Sequence, residues 1–283
     1  MNLQNIGVIG AGTMGNGIAQ ICAVAGINVT LLDISAGALE KALATVSKNL
    51  DRQVSKGILN ESQKLTALAK IHTSTDYASL ENAQWVIEAA TENLELKRRV
   101  LQQIAAHVSE QCVIASNTSS LSITELAAGV NAPERFIGLH FFNPVPVMGL
   151  IEVIRGLQTS DTTHAQAIEL AQHLGKTAIT AGNRPGFVVN RILVPMINEA
   201  ILVLQEGLAS AEDIDAGMSL GCNQPIGPLA LADLIGLDTL LAILEAFYEG
   251  FQDSKYRSAP LLREMVAAGY LGRKTGRGFH TYG

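Results

Sequence analysis

Residues 5–33 read NIGVIGAGTMGNGIAQICAVAGINVTLLD. The run IGVIG has the pattern of a short buried strand, Met14 to Ala25 has that of a helix, and NVTLLD that of a second strand. Strand, glycine-rich turn, helix and strand make a βαβ unit. Gly10, Gly12 and Gly15 stand where the chain leaves the first strand and opens the helix. There they permit a tight turn and let a pyrophosphate approach the unpaired N–H groups of the helix terminus. Asp33 closes the second strand, where its carboxylate can accept from ribose hydroxyls and would repel a ribose phosphate. Ile34 and Ser35 follow it, with no arginine to receive a 2′-phosphate. The combination predicts a dinucleotide site that prefers NAD to NADP. FAD fits the same unit, but it commonly needs further nucleotide-binding sequence, which is not recognised in this chain.

The alternation continues beyond Asp33 after a large connection. Ser35 to about Lys56 reads as a long amphipathic helix and Glu61 to Ala69 as a shorter one, so a helical insertion of about residues 35–69 follows the second strand. Strands are expected near KIHTST, at WVIEAA, at CVIAS, at RFIGLHFF, at LIEVIRG and at KTAITAG. Helices are expected over Leu94 to His107, Ile123 to Ala128 and Thr162 to Leu174. After NRPGF the pattern is helical alone: Val188 to Glu206, Ala211 to Leu220, Pro228 to Gly250 and Pro260 to Ala268. The fold class is therefore α/β: an N-terminal Rossmann-type domain with a helical insertion (residues 1–183), followed by an all-helical domain (184–283).

At 283 residues, 48% hydrophobic and 16% charged, the chain has material for two cores and little for disorder. Its net charge of -6 carries no basic block, which argues against a nucleic-acid partner. No apolar stretch reaches the length of a membrane span. Cys22, Cys112 and Cys222 are far apart, are expected to be buried thiols, and suggest a reducing compartment, the cytoplasm. The six histidines form no close ligand pattern with a cysteine, so no metal is expected.

The segments VIGAGTMGNGIAQ, IEAATEN, SNTSSLSI, GLHFFNPVPVMGLIEVI, PGFVVNRIL and YLGRKTGRGF occur in this order across both domains. Through them the chain resembles the short-chain 3-hydroxyacyl-CoA dehydrogenases along essentially its whole length, and within that family the bacterial 3-hydroxybutyryl-CoA group. The resemblance implies reversible NAD-dependent oxidation of a (3S)-3-hydroxyacyl-CoA to a 3-oxoacyl-CoA, with His140 and Glu152 as the catalytic pair. It places Ser119 and Asn190 near the reacting oxygen, and Glu92, Lys97, Asn143 and Lys274 around NAD. It also implies a homodimer built on the helical domain.

Residue chemistry agrees with these roles without requiring them. Histidine is the side chain that most readily exchanges a proton near neutrality, and a carboxylate on one ring nitrogen orients the other. A serine hydroxyl can donate to an oxygen or accept its proton, which suits both oxidation states of an alcohol. Lys48, Arg52 and Lys56 recur at one-turn spacing on one face of the insertion helix, which by spacing alone is equally a solvated face that includes Asp51. The resemblance places this region beside the coenzyme A site, whose phosphates such a stripe would suit. Two competing readings stay open at this stage: a dehydrogenase of free hydroxy acids, which would keep His140 as base, and a dinucleotide-binding protein with no enzymatic role.

Overall fold

The computed structural model describes residues 3–283. They divide into a first compact unit ending at Asn183 and a second starting at Arg184. In the first, β1 (Asn5–Ile9), β2 (Asn28–Leu32), β3 (Ile71–Ser74), β4 (Trp85–Glu88), β5 (Val113–Ser116), β6 (Phe136–Phe141), β7 (Leu150–Arg155) and β8 (Thr177–Gly182) form an 8-stranded sheet in the order β3-β2-β1-β4-β5-β6-β7-β8. All neighbours are parallel except β6 and β7. The strand order turns back between β1 and β4, the switch point beside which open α/β sheets bind ligands at the carboxyl ends of their strands.

Register explains which residues make core and which make the site. Ile6 pairs with Val29 and Trp85, Val8 with Leu31 and Ile87, and Ala115 with Ile137, so one face carries a continuous apolar row. The helix α1 (Thr13–Val24) adds Ile18, Ala19 and Cys22 to the same core. Residues one step along each strand face the other way. That face carries Glu88, Ser116, Gly138, His140 and Glu152. A Cβ on Gly138 would come within 2.8 Å of Ile123, so the short helix α5 (Ile123–Ala127) packs close only because that position is glycine.

The insertion is a helical pair, α2 (Ala36–Ser55) and α3 (Glu61–Ala69). The Ser35 hydroxyl accepts from Ala38 N–H at the start of α2, and Asn60 and Gln63 form a reciprocal capping box at the start of α3. A cap of this kind contributes about 1 kcal/mol. Leu39, Ala42, Val46 and Leu50 give α2 one buried face, which leaves the Lys48, Arg52 and Lys56 side to solvent. The remaining helices of this unit are α4 (Leu94–His107) and α6 (Asp161–His173).

The second unit is α7 (Val189–Gln205), α8 (Ala211–Gly221), α9 (Pro228–Ile235), α10 (Leu237–Phe251) and α11 (Pro260–Ala267) around their own core of Val194, Ile197, Ile201, Leu229, Leu240, Leu244 and Phe247. Ser210 caps α8 by accepting from Asp213 N–H. Two expectations are corrected here. The helix expected over Pro228 to Gly250 is two helices, because Gly236 takes φ +100° and turns the chain between α9 and α10. Cys222, expected to be buried with the other thiols, is exposed.

The end of the chain is fastened by one buried acid. Asp233 accepts from the backbone N–H groups of Phe279 and His280 and from the Tyr282 hydroxyl. A Cβ on Gly278 would stand 1.8 Å from its Oδ1, so the tail can close over Asp233 only with glycine there. No helix of the described residues is long and apolar enough to cross a membrane.

Candidate active site

The turn after β1 is shaped by missing side chains. Gly10 has φ +98° and lies so close to the next strand that a Cβ would meet the Ala89 carbonyl at 2.8 Å. A Cβ on Gly15 would strike the Gly10 carbonyl at 1.7 Å, so glycine there lets α1 begin directly behind the turn. At Gly12 a Cβ would meet nothing within 4 Å, and no side chain caps α1. The first N–H groups of the helix thus face an open space of the kind an anionic pyrophosphate fills. Asp33 Oδ2 accepts from Ala11 N–H at 2.8 Å and Oδ1 from Ser35 N–H at 2.9 Å. The carboxylate is pinned to the turn with lone pairs left for ribose hydroxyls, and its charge opposes a 2′-phosphate. The residues present fit NAD.

At the same end of the sheet β6 and β7 set His140 directly opposite Glu152. Directly opposed residues of an antiparallel pair project to one face. His140 Nδ1 and Glu152 Oε2 are 2.7 Å apart, with the glutamate fully buried and the histidine nearly so. With Glu152 ionised its carboxylate can only accept, which assigns the donated proton to Nδ1, and in the neutral imidazole Nε2 then holds the lone pair. The Phe142 ring lies against the imidazole, centroids 4.5 Å apart, and Asn117 Oδ1 accepts from Phe141 N–H, tying the end of β6 to the loop after β5. Both contacts limit how the imidazole can swing.

Between the glycine turn and this pair lies a network that the sequence reading saw only in part. Glu88, the last residue of β4, is fully buried and accepts from Lys97 Nζ at 2.8 and 3.0 Å, from Ser116 Oγ at 2.6 Å and from Ala90 N–H at 2.6 Å. Lys97, 1% exposed, donates further to the Ala90 carbonyl and stands 3.5 Å from Glu92. Lys97, which the resemblance places around NAD, is a buried group whose donors are engaged within this network. Glu92 Oε1 accepts from Thr118 Oγ1, from Ser119 N–H and Oγ, and from Ser120 N–H and Oγ. Burial works to raise the Glu92 carboxyl, but Lys97 and these hydrogen bonds outweigh it and hold it below its ordinary value. Glu92 and Ser119, read separately, are thus direct neighbours.

The profile of the 3-hydroxyacyl-CoA dehydrogenase NAD binding domain matches residues 5–184, and that of the C-terminal domain of the same enzymes matches residues 186–282. The chain belongs to the 3-hydroxyacyl-CoA dehydrogenase family. A 3-hydroxybutyryl-CoA dehydrogenase of Bradyrhizobium diazoefficiens is 50% identical over 99% of this chain and 96% of its own length. A probable 3-hydroxybutyryl-CoA dehydrogenase of Bacillus subtilis is 49% identical over 100% and 98%. Among solved structures, an (S)-3-hydroxybutyryl-CoA dehydrogenase of Ralstonia eutropha superposes with a TM-score of 0.98 at 62% identity, covering 100% of both chains.

As a 3-hydroxyacyl-CoA dehydrogenase the chain binds NAD through its first unit, and the remaining expected residues lie as follows. Asn143 is exposed in the loop between β6 and β7. Lys48 and Arg52 are exposed on α2 and Lys56 is exposed at its C-cap, and Asp51, the acid between them, is drawn off by Lys64 at 2.7 Å. Asn190 is in the first turn of α7. Lys274 pairs with Asp238 at 2.5 and 2.7 Å within the second unit. Sequence reading missed Glu88, Ser116 and Thr118. For Glu88 a signal existed: an acid inside the apolar strand WVIE needs a buried partner.

Proposed function

We propose that this chain carries out the reversible NAD-dependent oxidation of short-chain (3S)-3-hydroxyacyl-CoA, with 3-hydroxybutyryl-CoA and acetoacetyl-CoA as the four-carbon pair. The observation that carries the chemistry is the register of β6 on β7, which sets His140 Nδ1 2.7 Å from Glu152 at the carboxyl end of the dinucleotide sheet. NAD, when bound, accepts the hydride from the substrate carbon. Gly10, Gly12, Gly15 and Asp33 would hold its pyrophosphate and adenine ribose. Glu92, Lys97, Asn143 and Lys274 are assigned around it by the resemblance, Lys97 standing 3.5 Å from Glu92.

His140 Nε2 takes the hydroxyl proton as the alcohol is oxidised and returns it in the reverse direction. Glu152 holds the other ring nitrogen and stabilises the imidazolium that forms. Ser119, on turning its hydroxyl away from Glu92, and Asn190 donate to the reacting oxygen, an interaction that strengthens as negative charge gathers there. Lys48, Arg52 and Lys56 offer their charges to the phosphates of coenzyme A. The (3S) preference rests on the name of the Ralstonia relative and on the family resemblance. We further propose a homodimer, and a cytoplasmic location on the strength of three free cysteines.

The test is NADH oxidation with acetoacetyl-CoA against free acetoacetate. We expect turnover of the thioester, little of the free acid, and little with NADPH in place of NADH. Equal turnover of the free acid would return the reading to a hydroxy-acid dehydrogenase, and stereochemical analysis of the product decides the (3S) assignment.

A further inference from the structure

We infer that Lys176 is a positioning residue for the loop between β6 and β7, fastening the segment that carries Asn143 to the start of β8. The inference rests on the proposed role of Asn143 beside NAD. Lys176 Nζ donates to the Val145 carbonyl at 2.9 Å and the Met148 carbonyl at 2.8 Å, bridging both sides of the loop from beneath. One residue on, Thr177 N–H donates to the Gly149 carbonyl at 2.7 Å, so the loop and the edge strand are joined by three hydrogen bonds in sequence.

The loop needs such a fastening. Its own bonds are a tight turn in which Val147 and Met148 N–H both donate to the Pro144 carbonyl. Val147 is 75% exposed, and apolar packing reaches the loop chiefly at Val145, 2% exposed. A Cβ on Gly17 would stand 2.8 Å from Val145 Cβ, so that side chain is seated directly on α1, the helix of the dinucleotide turn. Val145 therefore fixes one end of the loop against the cofactor helix, and Lys176 fixes both ends against the sheet.

The anchor is itself rigid. Lys176 follows the end of α6, where Gly175 takes φ +69°, Gly175 N–H donates to Gln172 and Lys176 N–H donates to Ala171, a closed helix terminus. Burial pushes the Lys176 ammonium down from its ordinary value, and the two carbonyls give its charge the acceptors that water would otherwise supply. Hydrogen bonds from a charged donor are among the stronger ones in a protein. Lys176 reaches the reaction only through the loop it holds.

Lys176→Met keeps the stem and removes the donors, whereas Lys176→Arg keeps donors in nearly the same place. Hydrogen exchange without cofactor should show residues 142–149 opening faster in Lys176→Met, with β1 and β4 unchanged, and slower opening restored by arginine. NADH titration by fluorescence should weaken about tenfold, with kcat at saturating cofactor changed by less than about threefold. Asn143→Ala serves as the control, weakening NADH with no change in loop exchange. Unchanged exchange in Lys176→Met overturns the inference, as does faster exchange spread over the core strands, which would make the lysine a general stabiliser. If the loop loosens in Lys176→Met while Asn143→Ala binds NADH normally, the tether holds and the role of Asn143 fails.

Discussion

A fully buried carboxylate is expensive unless something answers its charge, and this molecule keeps two of them, Glu88 and Glu152, on one face of its sheet. Glu88 is answered by Lys97 Nζ, a hydroxyl and an amide. Glu152 faces an imidazole whose charge appears only when it takes a proton. The first arrangement suits a structural role, and the second is the one proposed to move a proton. His140→Asn should therefore leave NAD binding measurable and cut hydroxyacyl-CoA turnover by roughly 100-fold or more, the scale of positioned acid-base assistance. Glu152→Gln keeps the shape but not the charge and should lower turnover at least about tenfold. Steady-state kinetics on folded variants checks both, and near-parent rates in the two together would end the proton-transfer assignment. Lys97 is a poor probe by comparison, since removing one partner of a buried pair commonly costs about 3–5 kcal/mol of stability.

At the scale of elements, α2 is a cantilever with two unlike faces. Leu39, Ala42, Val46 and Leu50 hold it to the first unit, while Lys48, Arg52 and Lys56 are presented to solvent along the other side. With Asp51 engaged by Lys64, no acid interrupts that stripe. Replacing all three cations with glutamine should weaken acetoacetyl-CoA binding about tenfold or more at low salt, with most of the difference vanishing at high salt. Isothermal titration at two ionic strengths measures this, and parent-like affinity at low salt would remove the stripe from the coenzyme A site. Elements of this kind were legible because α2, α3 and α4 have clean periodicity and caps, and the βαβ start has glycines with one structural reading. Other features were not legible. Whether Gly236 interrupts a helix depends on its φ, which a run as apolar as Pro228 to Gly250 does not reveal. That Lys97 is buried depends on Glu88, a partner contributed by the preceding strand and fixed in place by Ser116 of another. The closeness of His140 and Glu152 was readable as two strands about a loop, but their direct opposition is a fact of register.

For the whole molecule, net charge is a weak guide to ligands. The chain carries -6 and is proposed to bind two anionic nucleotides, which is consistent because screening confines charge effects to about 8 Å at physiological salt. The stripe on α2 and the open terminus of α1 are proposed to act locally, within that range. Association has to be argued likewise from local surface. The apolar runs Ile192 to Leu204 and Leu229 to Leu244 can serve as an internal core or as a subunit face. Most of their bulk is internal: Val194, Ile197, Ile201, Leu229, Leu240 and Leu244 are buried in the second unit's own core. Of these runs Ile192 at 68% and Leu234 at 54% stay exposed, and Leu208 at 75% and Leu220 at 87%, which lie between the runs in sequence, are exposed large apolar side chains of the same unit. Apolar surface of this kind favours association when it is contiguous, and a twofold contact between identical helical units is the commonest way to cover it. Light scattering should then give twice the 30.0 kDa chain mass, independent of concentration over the micromolar range. A mass that falls toward one chain on dilution would mean a weak dimer, and one that stays at a single chain at every concentration would leave these side chains to some other role and overturn the homodimer.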